Sequence, residues 1–170
     1  MSDKKGEHPY LGIIINYDRD KKLDKFSLDT LQDRYLWQNE TSPQEAFARA
    51  SIFVSTFKEE TDFDMAQRIY NYVSNLWFMF STPILSNGGT TRGLPISCFL
   101  NYVPDNREGL SSHYDENIWL ASSGGGIGSY WGDIRSDGIP TSNGSKSTGS
   151  IPFMKVVDSQ MLAFNQGVTR

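Results

Sequence analysis

The sequence contains one cysteine, Cys98, and this residue is the first candidate for chemistry. Cys98 follows Ser97 in an apolar segment, residues 96–103, which its residue types predict to be a strand. Two interpretations are open: a small apolar residue packed in the core, or a redox thiol, which requires solvent access. Because no second cysteine is present, any disulfide partner must lie elsewhere, and neither a disulfide framework nor a cysteine-based zinc site is expected.

A glycine-rich run at residues 122–128 is the second candidate for chemistry. Glycine lets backbone N–H groups approach a phosphate closely, so the run could cradle a nucleotide. It lacks the Gly-Lys-Ser/Thr ending of a P-loop, and it does not match the spacing of a dinucleotide-binding fingerprint. A tight turn between a helix and a strand is the alternative explanation of the same glycines.

Arg135 is the third candidate, because it follows a predicted strand and faces a loop rich in Ser, Gly and Lys at residues 136–149. An arginine in this place could clamp a phosphate. The alternative is a solvated loop with a surface Arg–Asp pair, which contributes little. Neither His8 nor His113 has a partner at metal-ligand spacing, so we predict no metal site and expect His113 on a helix surface.

These candidates follow a region that is predicted to be helical, residues 1–80. A capping box at Ser42 and Glu45 starts one amphipathic helix. A similar start signal at Thr61 begins another, whose apolar spacing continues to Phe80. Two such helices joined by a few polar residues predict a helical hairpin.

The pattern of residue types changes in the second predicted domain, residues 81–170. Pro83 disfavours helix at Thr82, so the domain is expected to start extended and then to reach a glycine-rich turn. The strand at residues 96–103 alternates imperfectly, which suggests that both its faces are covered. A helix is predicted at residues 110–121. The fold class is therefore α+β or α/β, in which strand–helix units follow a helical domain.

The composition excludes several classes of function. The 170 residues carry 16 basic and 20 acidic side chains, and this net charge of −4 argues against a broad electrostatic grip on nucleic acid. A local site for a single nucleotide is compatible with it. No apolar run approaches the roughly 18 residues that span a bilayer. The N-terminus lacks the apolar stretch of a signal peptide, so we expect a cytoplasmic protein without a membrane partner.

Five motifs follow one another along the chain: TPILSNGGTTR at residues 82–92, SCFL at 97–100, GGIG at 125–128, DIR at 133–135 and FMKV at 153–156. In this order they resemble the large, catalytic subunit of class I ribonucleotide reductase. The resemblance runs from about Tyr10 to Arg170 and implies that residues 81–170 are the first units of an incomplete α/β barrel.

The resemblance implies roles in reduction for four of these residues. The family reduces ribonucleotides to deoxyribonucleotides at the ribose 2′ carbon by radical chemistry, and a pair of cysteines supplies the electrons. Cys98 matches the first cysteine of that pair. Thr82, Ser97 and Gly126 match positions that line the substrate pocket.

The resemblance also implies an allosteric site for a deoxynucleoside triphosphate or ATP effector. Asp105 matches an acidic residue that binds the effector deoxyribose, and Arg135 matches an arginine on its triphosphate. A second basic residue is missing at its usual place, where Ser142 and Asn143 stand, and Lys146 is the candidate to replace it. The loop at residues 136–149 corresponds to the first specificity loop.

Other parts of the family's large subunit have no counterpart in this sequence. They include the second reducing cysteine, the radical-bearing cysteine, the C-terminal cysteine pair and the N-terminal ATP-binding module. Our hypothesis is an N-terminal piece of a split or interrupted subunit, which stops within the second specificity loop that begins at residues 165–167. We expect such a piece to be inactive alone and to need the remainder of the subunit, by splicing or assembly.

The resemblance implies further partners as well. They are a ribonucleotide substrate, a radical-generating small subunit, and a second copy that joins a homodimer through the helices at residues 110–121 and 153–164. No cofactor is expected to bind this chain directly, and no nucleic acid is expected as a partner. The alternative function is a non-catalytic, nucleotide-binding regulatory remnant of the same family, and a relic without function is a third hypothesis.

Overall fold

The chain folds as two units, which the computed structural model describes for residues 6–164. The first unit is Met1–Pro95 and the second is Ile96–Arg170. The composition changes at Ser81, whereas the structure divides the chain between Pro95 and Ile96. The later division arises because the helix Thr82–Asn87 packs within the first unit.

Two short antiparallel hairpins and three helices form most of the first unit. The hairpins place β1 beside β2 and β3 beside β4. Asp62, rather than Thr61, caps the third helix, because its side chain accepts the Met65 N–H at 2.9 Å. That helix ends before Phe80, where the apolar spacing predicted its end. The elements are β1 (Glu7–Tyr10), β2 (Ile13–Asn16), a 3-10 helix (Tyr17–Lys22), α1 (Lys25–Arg34), α2 (Pro43–Val54), β3 (Thr56–Phe57), β4 (Glu60–Thr61) and α3 (Phe63–Ser74).

Helix α2 lies at the centre of this unit. The predicted capping box at its start is confirmed, since Ser42 Oγ accepts the Gln44 N–H at 3.1 Å and Glu45 accepts the Ser42 N–H at 3.1 Å. Small and aromatic side chains on the helix let α3 and β2 approach it closely. The buried apolar side chains of the core are Ile13, Ile15, Leu31, Ala46, Phe47, Ala48, Ala50, Ala66, Tyr70, Val73 and Leu85.

The segment after α3 forms a further helix, α4 (Thr82–Asn87), so the expectation that Thr82 is extended is wrong. Proline is tolerated in the first turn of a helix, where its missing N–H would have no partner in any case. Pro83 occupies that turn, and Ser81 before it takes the extended conformation with a ψ of 149°. The predicted glycine-rich turn follows, where Gly89 adopts a φ of 72°.

A buried ion pair ties α2 to its surroundings. Arg49 Nε donates to Glu40 Oε1 at 2.6 Å, and both side chains are almost fully buried. The same guanidinium also donates to backbone carbonyls of neighbouring segments. It therefore satisfies the ends of several elements from one position. The accepting carbonyls belong to Tyr35 (3.1 Å), Leu85 (3.1 Å) and Gly88 (2.7 Å).

The second unit is built on a strand–helix–strand motif, as predicted. Strands β5 and β6 are parallel and α5 connects them, while α6 contacts α5. Gly125, just before β6, permits a close approach, because a Cβ there would lie 1.9 Å from the Phe99 ring. In the described part of the chain this sheet has two strands, so the barrel is not closed. The elements are β5 (Cys98–Tyr102), α5 (Arg107–Ser122), β6 (Gly126–Tyr130) and α6 (Ile151–Phe164).

Only one face of the two-stranded sheet is covered by other residues of the chain, so the expectation that both faces of the strand are covered is wrong for this chain. Along β5, Phe99 and Asn101 are half-buried on the face that contacts α5, whereas Leu100 on the opposite face is 89% exposed. Strand β6 alternates in the same way. None of the helices among the described residues combines the length and apolar character needed to cross a bilayer.

Candidate functional site

The exposed side of the β5–β6 pair carries the cysteine. We define the open face as Cys98, Leu100 and Tyr102 of β5 together with Gly126, Gly128 and Tyr130 of β6, all of which are exposed. Cys98 is the first residue of its strand and its thiol is free. This exposure disagrees with a thiol packed in the core and meets the first requirement of a redox thiol, which is access.

Glycine clears the space beside the thiol. The strand register pairs Cys98 with Gly126. A Cβ at Gly126 would meet only the Ser97 carbonyl oxygen, at 3.8 Å, so the position is open rather than crowded. The Ser97 hydroxyl lies 3.9 Å from the Cys98 sulfur. The structure thus brings three predicted site residues, Ser97, Cys98 and Gly126, to one edge of the sheet.

The exposure of Cys98 gives a direct prediction for the isolated chain. A water-soluble maleimide is expected to label the folded protein once, because the thiol lies on an uncovered sheet face. Intact-mass measurement under native conditions checks this, and the Cys98→Ser variant is the matched control. Labelling that requires denaturant would show that the open face is covered.

Two of the four predicted effector residues, Asp105 and Arg135, lie together at the opposite end of the strands. Arg135 Nε donates to Asp105 Oδ2 at 2.6 Å, and its Nη2 donates to the Asp105 carbonyl at 3.3 Å. Asp105 follows β5 and Arg135 follows β6, so both lie beyond the carboxyl ends of parallel strands. Open α/β sheets bind their ligands at such ends. Both side chains keep about a third of their surface exposed (31% and 35%).

The Ser/Gly-rich segment after Arg135 is an ordered loop. Pro140 and Lys146 form a β-bridge, and Ser147 N–H donates to the Ile139 carbonyl at 2.8 Å. Ser142 and Lys146 are exposed on this loop. The Lys146 side chain makes no hydrogen bond or ion pair with another described residue. It is therefore available to an external anion.

The remaining predicted substrate residue belongs to the first unit. Thr82 begins α4, and its hydroxyl lies 3.2 Å from the Tyr35 hydroxyl. The predicted start of the second specificity loop, residues 165–167, lies outside the described residues. Among residues 6–164, no group of three or more His, Cys, Asp or Glu side chains is placed to hold a metal ion.

His113 is buried, so its expected place on a helix surface is wrong. It is 1% exposed, and its Nε2 lies 2.9 Å from the Asn117 side-chain nitrogen. Its ring meets Trp131 edge-on at 5.1 Å. Burial lowers the pKa of His113, against the opposing charge of Glu116. Its four-residue spacing from Asn117, on the stripe that reaches the buried Ala121, was the signal for this burial.

Two family models match the chain, and their boundary coincides with the boundary between the two units. Residues 21–93 match the model described as ribonucleotide reductase, all-alpha domain. Residues 96–170 match the model described as ribonucleotide reductase, barrel domain. The two matches together span most of the sequence.

Individual proteins agree with these models. The chain is 42% identical over 159 residues to the ribonucleoside-diphosphate reductase large subunit of Invertebrate iridescent virus 6, covering 93% of this chain and 15% of that protein. It is 32% identical to the ribonucleoside-diphosphate reductase subunit alpha of Helicobacter pylori (strain ATCC 700392 / 26695), and this match covers 95% of this chain and 21% of that protein.

A solved structure shows the same relationship in three dimensions. The chain superposes on the Actinobacillus ureae class Id ribonucleotide reductase alpha subunit with a TM-score of 0.71 and 32% identity. The match covers 85% of this chain and 26% of that subunit. The chain thus spans roughly a fifth of the length of these relatives, and it belongs to the large-subunit family of ribonucleotide reductase.

Proposed function

We propose that this chain acts within a ribonucleoside-diphosphate reductase large subunit, to which it contributes one redox thiol and an allosteric nucleotide site. The observation that carries the proposal is the arrangement of the β5–α5–β6 motif within the second unit. It holds Cys98 at one end of two parallel strands and the Asp105–Arg135 pair at the other. The chain belongs to a family whose members are named as this enzyme.

The proposed reaction needs more than this chain. Reduction at the ribose 2′ carbon breaks the bond to the hydroxyl, which leaves as water, and two thiols lose two electrons and become a disulfide. Cys98 supplies one of those thiols, so the second must come from the remainder of the barrel. A radical-generating small subunit supplies the radical that starts the reaction. The chain alone is therefore inactive.

Substrate binding is assigned to short polar and glycine positions. Ser97 offers a hydroxyl beside the thiol, and Gly126 lets the substrate approach the backbone of β6. Both leave Cys98 uncovered, which a reducing thiol requires. Thr82, which lies in the first unit, is assigned to substrate binding by the family resemblance alone.

Effector binding is assigned to the other end of the strands. The Asp105 carboxylate is suited to accept a hydrogen bond from the effector deoxyribose, and the Arg135 guanidinium to bind the triphosphate. Arg135 Nη1 makes no hydrogen bond to another described residue, so it is available for a phosphate oxygen. Ser142 and Lys146 add a donor and a positive charge from the ordered loop.

The Arg135→Ala variant is expected to weaken binding of a deoxynucleoside triphosphate by at least about tenfold, because it removes charge-assisted hydrogen bonds. Equilibrium dialysis with dTTP, performed on the dimeric subunit, measures the affinity. Arg68→Ala removes the same charge from an exposed position on α3 and serves as the control. Equal affinities for Arg135→Ala and the parent protein would remove the effector site from the proposal.

Two exposed helix faces support a homodimer as the working state. Trp119 on α5 is 70% exposed and Leu162 on α6 is 76% exposed. Apolar surface of this kind marks an interaction site. We assign these helices to the contact with a second copy, and we place the assembled enzyme in the cytoplasm, with neither a nucleic acid nor a membrane as partner.

A non-catalytic nucleotide-binding remnant is the second candidate function. It is favoured by one observation: the Asp105–Arg135 pair is complete within this chain, whereas the redox pair is not. Supplying the missing part of the barrel distinguishes the two candidates. Nucleotide binding without restored reduction supports the remnant, and restored reduction supports the enzyme.

A further inference from the structure

Two tyrosines form the last rung of the β5–β6 ladder. Tyr102 and Tyr130 are register partners, and their rings stack with centroids 6.1 Å apart and an interplanar angle of 15°. Both are more than half exposed on the open face. A Cβ at Gly132 would lie 2.4 Å from the Tyr130 hydroxyl, so this ring rests directly on the backbone that leaves β6. The pair therefore lies where both strands end, just before the segments that carry Asp105 and Arg135.

A hydrogen bond crosses from one strand exit to the other at this point. The Tyr102 hydroxyl donates to Asp133 Oδ2 at 2.6 Å, a short, charge-assisted bond. This bond raises the pKa of Tyr102, so the hydroxyl remains a donor through the neutral range. The Tyr130 hydroxyl makes no hydrogen bond to another described residue. The two stacked tyrosines thus differ in whether the hydroxyl makes a hydrogen bond, and an experiment can use this difference.

Asp133 is a second carboxylate, and it lies close in sequence to Arg135. It precedes Arg135 by two residues, while Tyr102 precedes Asp105 by three. Two side-chain links, Tyr102–Asp133 and Asp105–Arg135, therefore join the same two segments. A carboxylate released next to Arg135 would compete for its guanidinium and would repel a triphosphate.

We propose that Tyr102 is a positioning residue for the nucleotide site, and that its hydroxyl holds the Asp133 carboxylate away from Arg135. This inference rests on the effector site proposed above. The stack with Tyr130 fixes the Tyr102 ring, and the hydroxyl on that ring in turn holds the Asp133 carboxylate. Arg135 then remains free to bind Asp105 and the anionic ligand.

Four variants of the complete dimeric subunit test the inference by equilibrium dialysis with dTTP. Tyr102→Phe keeps the ring stack and removes the hydroxyl, and we expect the affinity to fall about tenfold. Asp133→Asn alone should bind within about twofold of the parent, because the competing charge is gone. The double variant Tyr102→Phe/Asp133→Asn should recover the same affinity. Tyr130→Phe, which removes an unbonded hydroxyl from the same stack, should match the parent.

The rescue separates positioning from general structural damage. A structural loss caused by Tyr102→Phe would persist in the double variant, which lacks the same hydroxyl, and that result would overturn the inference. Equal affinities for Tyr102→Phe and Tyr130→Phe would also overturn it. If the parent does not bind dTTP at all, the proposed nucleotide site fails and the inference falls with it. If Arg135→Ala loses binding while Tyr102→Phe does not, only the inference fails.

Discussion

Replacement of Cys98 by serine is expected to abolish nucleotide reduction by the assembled enzyme, with turnover reduced by at least about a thousandfold. A serine hydroxyl cannot share in a disulfide, so the two electrons have no source. The substitution is structurally mild, because Cys98 is exposed at the first position of β5 and the two side chains are similar in size. Turnover is measured as deoxyribonucleotide formed from ribonucleotide with radical generator and reductant in excess.

The same variant supplies its own control. Its affinity for dTTP should equal that of the parent protein, because Asp105 and Arg135 lie at the other end of the strands. Intact nucleotide binding together with absent turnover would place the defect in the redox step. Turnover within about tenfold of the parent would instead show that Cys98 is dispensable, and the proposed role would be withdrawn.

The Arg49→Met variant is expected to lower the free energy of unfolding by about 3–5 kcal/mol. Methionine fills much of the space of the arginine stem but donates no hydrogen bonds. The Glu40 carboxylate would then be buried without its partner, and three backbone carbonyls would lose their donor. Chemical denaturation of the assembled subunit, followed by circular dichroism, measures the change.

Two comparisons define what the Arg49 result means. Arg34→Met breaks an exposed pair with Asp33 at 3.4 Å and should cost less than about 0.5 kcal/mol. The double variant Arg49→Met/Glu40→Leu also removes the unpaired Glu40 carboxylate and should recover part of the lost free energy of unfolding. A cost for Arg49→Met no larger than that for Arg34→Met would show that the buried pair does not hold the first unit together.

Local patterns predicted the elements that local chemistry decides. The capping box at Ser42 and Glu45 requires only neighbouring residues, and it is present. The strand–helix–strand order of the second unit follows from short-range periodicity in the same way. Thr82 was mispredicted because the bias against helix before a proline is weaker than the tolerance of Pro83 in a first turn.

Features that depend on distant partners were beyond these patterns. His113 is buried because Asn117 and Trp131 accommodate it, and the sequence alone does not show Trp131 beside the helix. Arg49 carried no signal, since its partners come from several separate segments. Asp105 and Arg135 are 30 positions apart, so spacing could not pair them. Only the family resemblance predicted that they share a site, and the structure places the two side chains in contact.

The fate of the Cys98 sulfur during a single turnover tests the proposed function most directly. The subunit, with its own remaining barrel but with its C-terminal cysteine pair replaced by serine so that no internal dithiol reduces the Cys98 disulfide by exchange, is pre-reduced and freed of reductant. It is then given one equivalent of ribonucleotide and radical generator, alkylated and mapped by mass spectrometry. We predict that Cys98 is recovered in a disulfide with a cysteine of that remaining barrel, in proportion to the deoxyribonucleotide formed. Deoxyribonucleotide formed while Cys98 is still fully alkylated would contradict the proposal that this thiol is a reductant.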